Sequence, residues 1–227
     1  MYRTGPYTFT ETDAARTIAL VPDLWAELVR GRDPSVIEAL SPSLDGDVAD
    51  VLERAWNALL AAGPALRAAG QLPARACGRV EQLSLGGGGV PKLGAPGVDV
   101  DWGGVVGDRQ RARQHHGRPW QALCIWSKEV IGQFNRDGHR LTAGAAGENV
   151  TVAGLHWPDV RPGVRLHLGS VVCEVSAFAV PCKKNAQWFA GGQFSLMHHD
   201  QGPVSRVYAT VLRPGRIDTG DEAVLEP

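Results

Sequence analysis

The sequence predicts a mainly β domain, a closed or nearly closed barrel or a sandwich with short helices, preceded by a small helical N-terminal region. Three observations lead to this reading. Glycine usage shifts along the chain, with only five of the 28 glycines preceding Cys77. Apolar residues recur at helical spacing before that point and with the period of two of a strand after it. Many short strands separated by Gly, Pro and Asp turns favour closure, because a closed sheet leaves no strand edge unpaired.

Within residues 1–75, Ala14 to Val29 reads as a helix started or interrupted near Pro22. Val48, Val51, Leu52, Ala55, Trp56, Leu59 and Leu60 then trace one apolar helix face, with Asp45 or Asp47 as its cap. Pro64 and Gly70-Gln71-Leu72-Pro73 end that helix and open a linker that carries Cys77. An amphipathic helix generally buries against another element, so the region reads as a packing or homodimerisation appendage without chemistry. The barrel-like domain covers 78–227. Its strands include Val98 to Asp101, Val150 to Val152 and the alternating run Val207, Ala209, Val211. Arg165 to Leu168 and Val171 to Val180 form a hairpin across Gly169-Ser170, and Ser127 to Asn135 is a short helix.

Composition narrows the function classes. The chain has 227 residues, 44% of them hydrophobic and 21% charged, with a net charge of -1 and a pI near 6.7. No global field recruits nucleic acid or an anionic membrane, so any anion binding is local. No apolar run approaches the roughly 18 residues of a membrane span, and the first residues lack a signal-peptide core. The expectation is a soluble, cytoplasmic protein. Cys77, Cys124, Cys173 and Cys182 form no CxxC pair, which argues against a zinc ribbon, an iron–sulfur motif or a disulfide framework.

Four segments carry residue types suited to chemistry. Arg109 to Arg118 holds four arginines with His115 and His116 and no carboxylate, either a local anion site or a solvated loop. Asp108, after Gly107, is placed to orient an arginine or a histidine. Gly86 to Gly89 lacks the Lys-Ser/Thr ending of a phosphate-binding loop and reads as a turn. Glu148 and Asn149 open directly into a strand and either satisfy loop backbone groups or fix a polar ligand. Cys182 follows a long strand and Pro181, with Lys183 and Lys184 next, and nearby cations favour a reactive thiolate. Cys124 and Cys173 sit in apolar strands and read as inert. A mixed zinc site of Cys182 with His198, His199, His115 or His116 has no specific spacing to support it.

The order Gly107-Asp108-Arg109, His115-His116-Gly117, Gly147-Glu148-Asn149, Gly169 and Pro181-Cys182, ending in Arg206-Val207-Tyr208 and Gly220-Asp221, resembles the MOSC domain. That family is named for the C-terminal domain of molybdenum cofactor sulfurases. The resemblance covers about Gly78 to Pro227 and is closest to small bacterial stand-alone members associated with resistance to N-hydroxylated base analogues. Arg118 departs from it, standing where many relatives look to carry a second glycine.

The resemblance implies a MOSC-type β-barrel and a molybdenum cofactor (Mo-molybdopterin), with no role for pyridoxal phosphate. Cys182 matches the family's cysteine and is the implied metal ligand and catalytic residue. Asp108, Arg109, His115, His116, Glu148, Asn149, Lys183 and Arg206 form the implied cofactor-binding set, Arg206 on condition that its strand runs beside that of Cys182. A soft thiolate suits such a centre, and a phosphorylated pterin needs cationic and backbone donors. The activity implied is reduction of small N-hydroxylated substrates, with electrons from a separate reductase because the chain shows no iron–sulfur or dinucleotide-binding pattern. The alternatives are a sulfur (persulfide) or cofactor carrier using Cys182, and a zinc- or thiol-dependent hydrolase.

Overall fold

The computed structural model describes residues 2–4, 7–9, 73–111, 116 and 119–226. At the start of the chain β1 (Tyr2–Thr4) and β2 (Tyr7–Phe9) pair antiparallel. Strand-favouring Tyr, Thr and Phe here flank a Gly-Pro turn signal, which is why this stretch is extended within a region read as helical. The expected helices at Ala14 to Val29 and Val48 to Leu60 lie outside the described residues.

The barrel is built from β3 (Ala76–Leu85), β7 (Leu123–Ser127), β8 (Val150–Ala153), β9 (Arg165–Leu168), β10 (Val171–Phe178), β11 (Val207–Arg213) and β13 (Glu222–Glu226). These seven strands run in the order β13, β9, β10, β11, β7, β8, β3, and β3 pairs back onto β13 to close the ring. Alternation supplies the inner wall. Val207, Ala209 and Val211 of β11 are fully buried, as are Leu123 and Ile125 of β7, which face Ala209 and Val207 across the ladder. The expected hairpin forms as read, with Val171 opposite Leu168. Cys77 lies on β3 opposite Val224 rather than in a linker, because the barrel begins two residues before Gly78.

One barrel pair is parallel, β7 with β8, and a parallel pair needs a crossover. Helix α1 (Lys128–Arg136) provides it. Ser127 caps α1, its Oγ accepting the backbone N–H groups of Glu129 at 3.1 Å and Val130 at 3.3 Å. Ile131 and Phe134 turn inward from it, Phe134 packing near Trp126 of β7. β4 (Leu93–Ala95) extends β3 outside the ring, and β5 (Gly97–Asp101), β6 (Gly104–Val105) and β12 (Gly215–Asp218) form a separate small sheet.

Two features aim residues at one end of the wall. β10 slips register against β11 between Val175 and Ala177, a bulge at Ser176 that re-aims the strand just before Pro181 and Cys182. Beyond that bulge, Phe178 faces Val207 and Ala179 donates its N–H to the Arg206 carbonyl at 2.9 Å. The Arg206 strand therefore runs directly beside the Cys182 strand.

At the closing seam, a Cβ built on Gly78 would lie 2.3 Å from the carbonyl oxygen of Ala153. Gly78→Ala is therefore expected to lower unfolding free energy by about 1–3 kcal/mol, the usual cost of overpacking. Gly87→Ala, which meets nothing within 4 Å, should stay within about 0.5 kcal/mol of the parent in the same urea titration.

Candidate functional site

The polar part of the site is organised by the Asp108 carboxylate. Gly107, with φ of 87°, turns the chain after β6 so that Asp108 points back under the β3–β4 connection. Its Oδ1 accepts the Gly86 N–H at 2.8 Å, and its Oδ2 accepts Lys92 Nζ at 2.5 Å and Asn149 Nδ2 at 3.0 Å. The Lys92 and Asp108 side chains are only 8% and 4% exposed, so neither charge has a bulk-water alternative. Sequence reasoning gave Asp108 an arginine or a histidine to orient; it holds a lysine and an asparagine instead.

Asn149 joins this carboxylate to the barrel wall. Its N–H donates to the Cys124 carbonyl at 2.7 Å, its Oδ1 accepts the Cys124 N–H at 3.3 Å, and its carbonyl accepts the Ser84 N–H at 2.8 Å. Glu148 is fully buried beside it, and its Oε1 accepts the Gly144 N–H at 2.7 Å. Gly144 has φ of 82°, and a Cβ there would lie 2.6 Å from the Lys92 carbonyl oxygen, so only glycine lets this loop lie against the β3–β4 connection. Both residues thus satisfy loop backbone groups. The second carboxyl oxygen of Glu148, however, is buried with no hydrogen-bond partner among the described residues. Burial raises the Glu148 pKa, against the backbone N–H groups and the positive charges of Arg206 and Lys92.

The thiol part of the site lies on the other face of β11 from the core. Arg206 and Tyr208 alternate with Val207 and Ala209, and Tyr208 faces Cys124 across the β11–β7 ladder. The Arg206 guanidinium is buried, donating Nη1 to the Ala146 carbonyl at 2.5 Å and approaching the Cys124 sulfur at 3.9 Å. Its Nε has no hydrogen-bond partner among the described residues. Burial works against its charge, yet Cys124, Tyr208, Glu148 and Cys182 as anions more than compensate and push its pKa up. Burial also raises Tyr208, helped by Cys124 and Cys182 and opposed by Arg206. Cys182 therefore sits within electrostatic reach of both residues, half-buried at the start of a 3-10 turn over Lys183–Trp188.

Cys124 is a buried thiol that burial pushes up, as a core cysteine is, but its sulfur lies 3.9 Å from Arg206 Nη1, which opposes that shift by charge and by a hydrogen bond. Cys173 does behave as a core thiol, pushed up to about 12 by burial with help from Glu174. Lys183 and Lys184 are exposed, so the buried cation near Cys182 is Arg206. Arg109 is exposed as well, and its backbone N–H donates to the Gly86 carbonyl at 2.8 Å. His116 is half-buried, with Nδ1 3.4 Å from the Tyr208 hydroxyl, while His115 lies outside the described residues. Sequence reasoning missed Lys92, Cys124 and Tyr208. The polar alternation of Arg206, Tyr208 and Thr210 was a usable signal for the last of these.

His198, His199 and Asp200 place donor atoms within 4.8 Å of one another, and Cys182 is not in that group. The two imidazoles stack, with centroids 4.2 Å apart and planes 28° from parallel, and His199 also stacks on Phe178. Ring lone pairs lie in the ring plane, so in this arrangement the two histidines do not converge on one ion.

A closed mainly β barrel with a thiol at the end of one strand and a buried arginine on its neighbour defines the class. The MOSC domain model matches residues 112–224. It is 34% identical over 115 residues to YflK of Bacillus subtilis (strain 168) and 29% identical over 118 residues to YiiM of Escherichia coli (strain K12). Each alignment takes in 50% of this chain and 52% of the relative, so the chain spans about half the length of both. The crystal structure of YiiM from Geobacillus stearothermophilus superposes with a TM-score of 0.52 at 26% identity, covering 66% of this chain and 75% of that one.

Two outcomes follow from the buried charges. Lys92→Met should cost about 3–5 kcal/mol by stranding Asp108, whereas Lys92→Met with Asp108→Leu should lose less than the sum of the singles, as a double-mutant cycle in urea will read. The folded state also holds the Glu148 proton more tightly than the unfolded chain, whose carboxyl has its ordinary pKa of about 4.3. The contribution of Glu148 is thus fully present below that value and is lost as pH rises toward the folded one. The stability difference between wild type and Glu148→Gln should therefore move against wild type as pH increases across that window.

Proposed function

We propose that this protein binds a molybdenum cofactor through Cys182 and reduces small N-hydroxylated compounds, taking electrons from a separate reductase. The observation that carries the proposal is the Arg206 guanidinium, buried 3.9 Å from the Cys124 sulfur, on the strand beside the one that leads to Cys182, with its Nε–H unpartnered among the described residues. A buried cation with spare donor capacity fits an anionic ligand. A half-buried cysteine at a strand end fits a soft metal, which thiolates favour. The donor set present here suits the cofactor that MOSC domains imply.

When bound, the cofactor supplies a two-electron redox centre. The rest is work for the chain. Cys182 provides the sulfur ligand. Arg206 balances negative charge at that sulfur and orients the anionic group, its own position fixed by the Ala146 carbonyl. Asp108, Lys92 and Asn149 hold the Gly86 and Gly144 loops against the wall, so that Glu148 and Cys124 stay sealed from water. His116, Arg109, His115 and Lys183 are the remaining candidates for the cofactor's phosphate, which needs exposed or half-exposed cationic donors. A half-buried thiol also suits sulfur transfer, which requires only an accessible cysteine.

The test is molybdenum and pterin analysis of protein made in a cofactor-producing host, alongside Cys182→Ser. Near-stoichiometric molybdenum that is lost in the variant, with reductase-coupled turnover of an N-hydroxylated base, is the expected result. Cofactor-loaded protein without turnover points to a carrier. A sulfur atom added at Cys182, found by mass spectrometry in molybdenum-free protein, overturns the enzyme reading in favour of sulfur transfer.

A further inference from the structure

Tyr208 occupies the same face of β11 as Arg206 and lies opposite Cys124 of β7. Across the two ladders Tyr208 lies opposite Cys124 of β7 and Ala177 of β10, the strand that leads to Cys182; Arg206 stands at the head of its own strand, His116 comes from the loop that follows Asp108, and Cys182 is within electrostatic reach. The phenol combines a proton to give with a contact outward. His116 Nδ1 is 3.4 Å from the Tyr208 hydroxyl, and its ring is half-exposed while Arg206 and Cys124 are buried. A ring N–H on His116 directed at the phenol oxygen leaves the phenol hydrogen free to point into the site.

Resting on the reductase reading above, we propose that Tyr208 is the proton donor of the reaction and that His116 restores its proton from solvent. Reduction of an N-hydroxylated nitrogen breaks the N–O bond. The nitrogen gains two electrons, supplied by the separate reductase, and two protons are consumed. The Tyr208 phenol delivers one to the departing oxygen, which leaves as water. Solvent supplies the other to nitrogen, and His116 returns a proton to the tyrosinate. Burial holds the phenol in its protonated form until that moment. Arg206, whose guanidinium keeps its protons in proteins, cannot fill this role.

The test uses cofactor-loaded Tyr208→Phe and His116→Ala beside wild type, with thermal melts confirming folding. Tyr208→Phe should keep its molybdenum and its KM while kcat falls about a hundredfold or more, the range a general acid contributes. His116→Ala should also lose kcat and regain part of it with added imidazole, a response that a purely structural histidine would not give. A readout independent of turnover comes from the cofactor-free protein, where the nitrogen NMR signals of the His116 ring should shift in Tyr208→Phe. Full kcat in loaded Tyr208→Phe, no imidazole rescue, or an unmoved His116 ring signal overturns the proposal while leaving the reductase reading intact. Loaded wild type without turnover overturns the reductase reading, and this proposal with it.

Discussion

A guanidinium buried in the wall of a barrel constrains everything around it. Taking Arg206 out of water carries a penalty of several kcal/mol unless charge and hydrogen-bond partners meet it inside. Here hydrogen-bond partners come from the Ala146 carbonyl on the loop before Glu148 and the Cys124 sulfur on β7, with Cys182 within electrostatic reach. Each of those is in turn placed by the barrel. Cys124 is held by Asn149 on both its N–H and its carbonyl, and Cys182 arrives because β10 is laced to β11 as far as the Ala179 N–H. The site is a consequence of strand pairing more than of any one loop.

A second layer of polar contacts serves that arrangement without touching the thiols. Asp108 collects a lysine, an asparagine and a backbone N–H from three separate segments. A satisfied buried network of this kind specifies a single loop arrangement, since any rearrangement strands a charge. The glycine at 144 is part of the same logic, because a side chain there would strike the backbone of the segment carrying Lys92. Glu148 differs from Asp108 in having one carboxyl oxygen satisfied and one not, and it is the group whose proton the fold retains.

Much of the fold was legible because period-two patterning is a local signal. The Gly169-Ser170 hairpin, the strand at Val207 and the short helix after Ser127 all read directly from alternation and turn residues. The reading of Cys182 as a strand-end thiol came from the same signals, and its family from motif order. What did not read was pairing between distant segments. Nothing in the sequence says that Cys124 and Tyr208 face each other, so Cys124 read as core and Tyr208, though part of a motif, was given no role in the site. Adjacent residues misled for the converse reason: Lys183 and Lys184 follow Cys182 in sequence but are exposed, while the buried cation comes from Arg206 on the neighbouring strand. Asp108 was expected to serve its sequence neighbours and instead serves Lys92, across the turn in space.

The ring closes by pairing β3 with β13, elements from opposite ends of the domain. Long-range pairing of this kind forms late, because the intervening chain must be ordered before the contact rewards it. On a ribosome, a nascent chain that has not yet released Glu222–Glu226 holds β3 and β9 as two open strand edges, both templates for wrong partners. One short strand, β13, thus shields two edges at once, and the domain is protected from self-association only after that strand has been made.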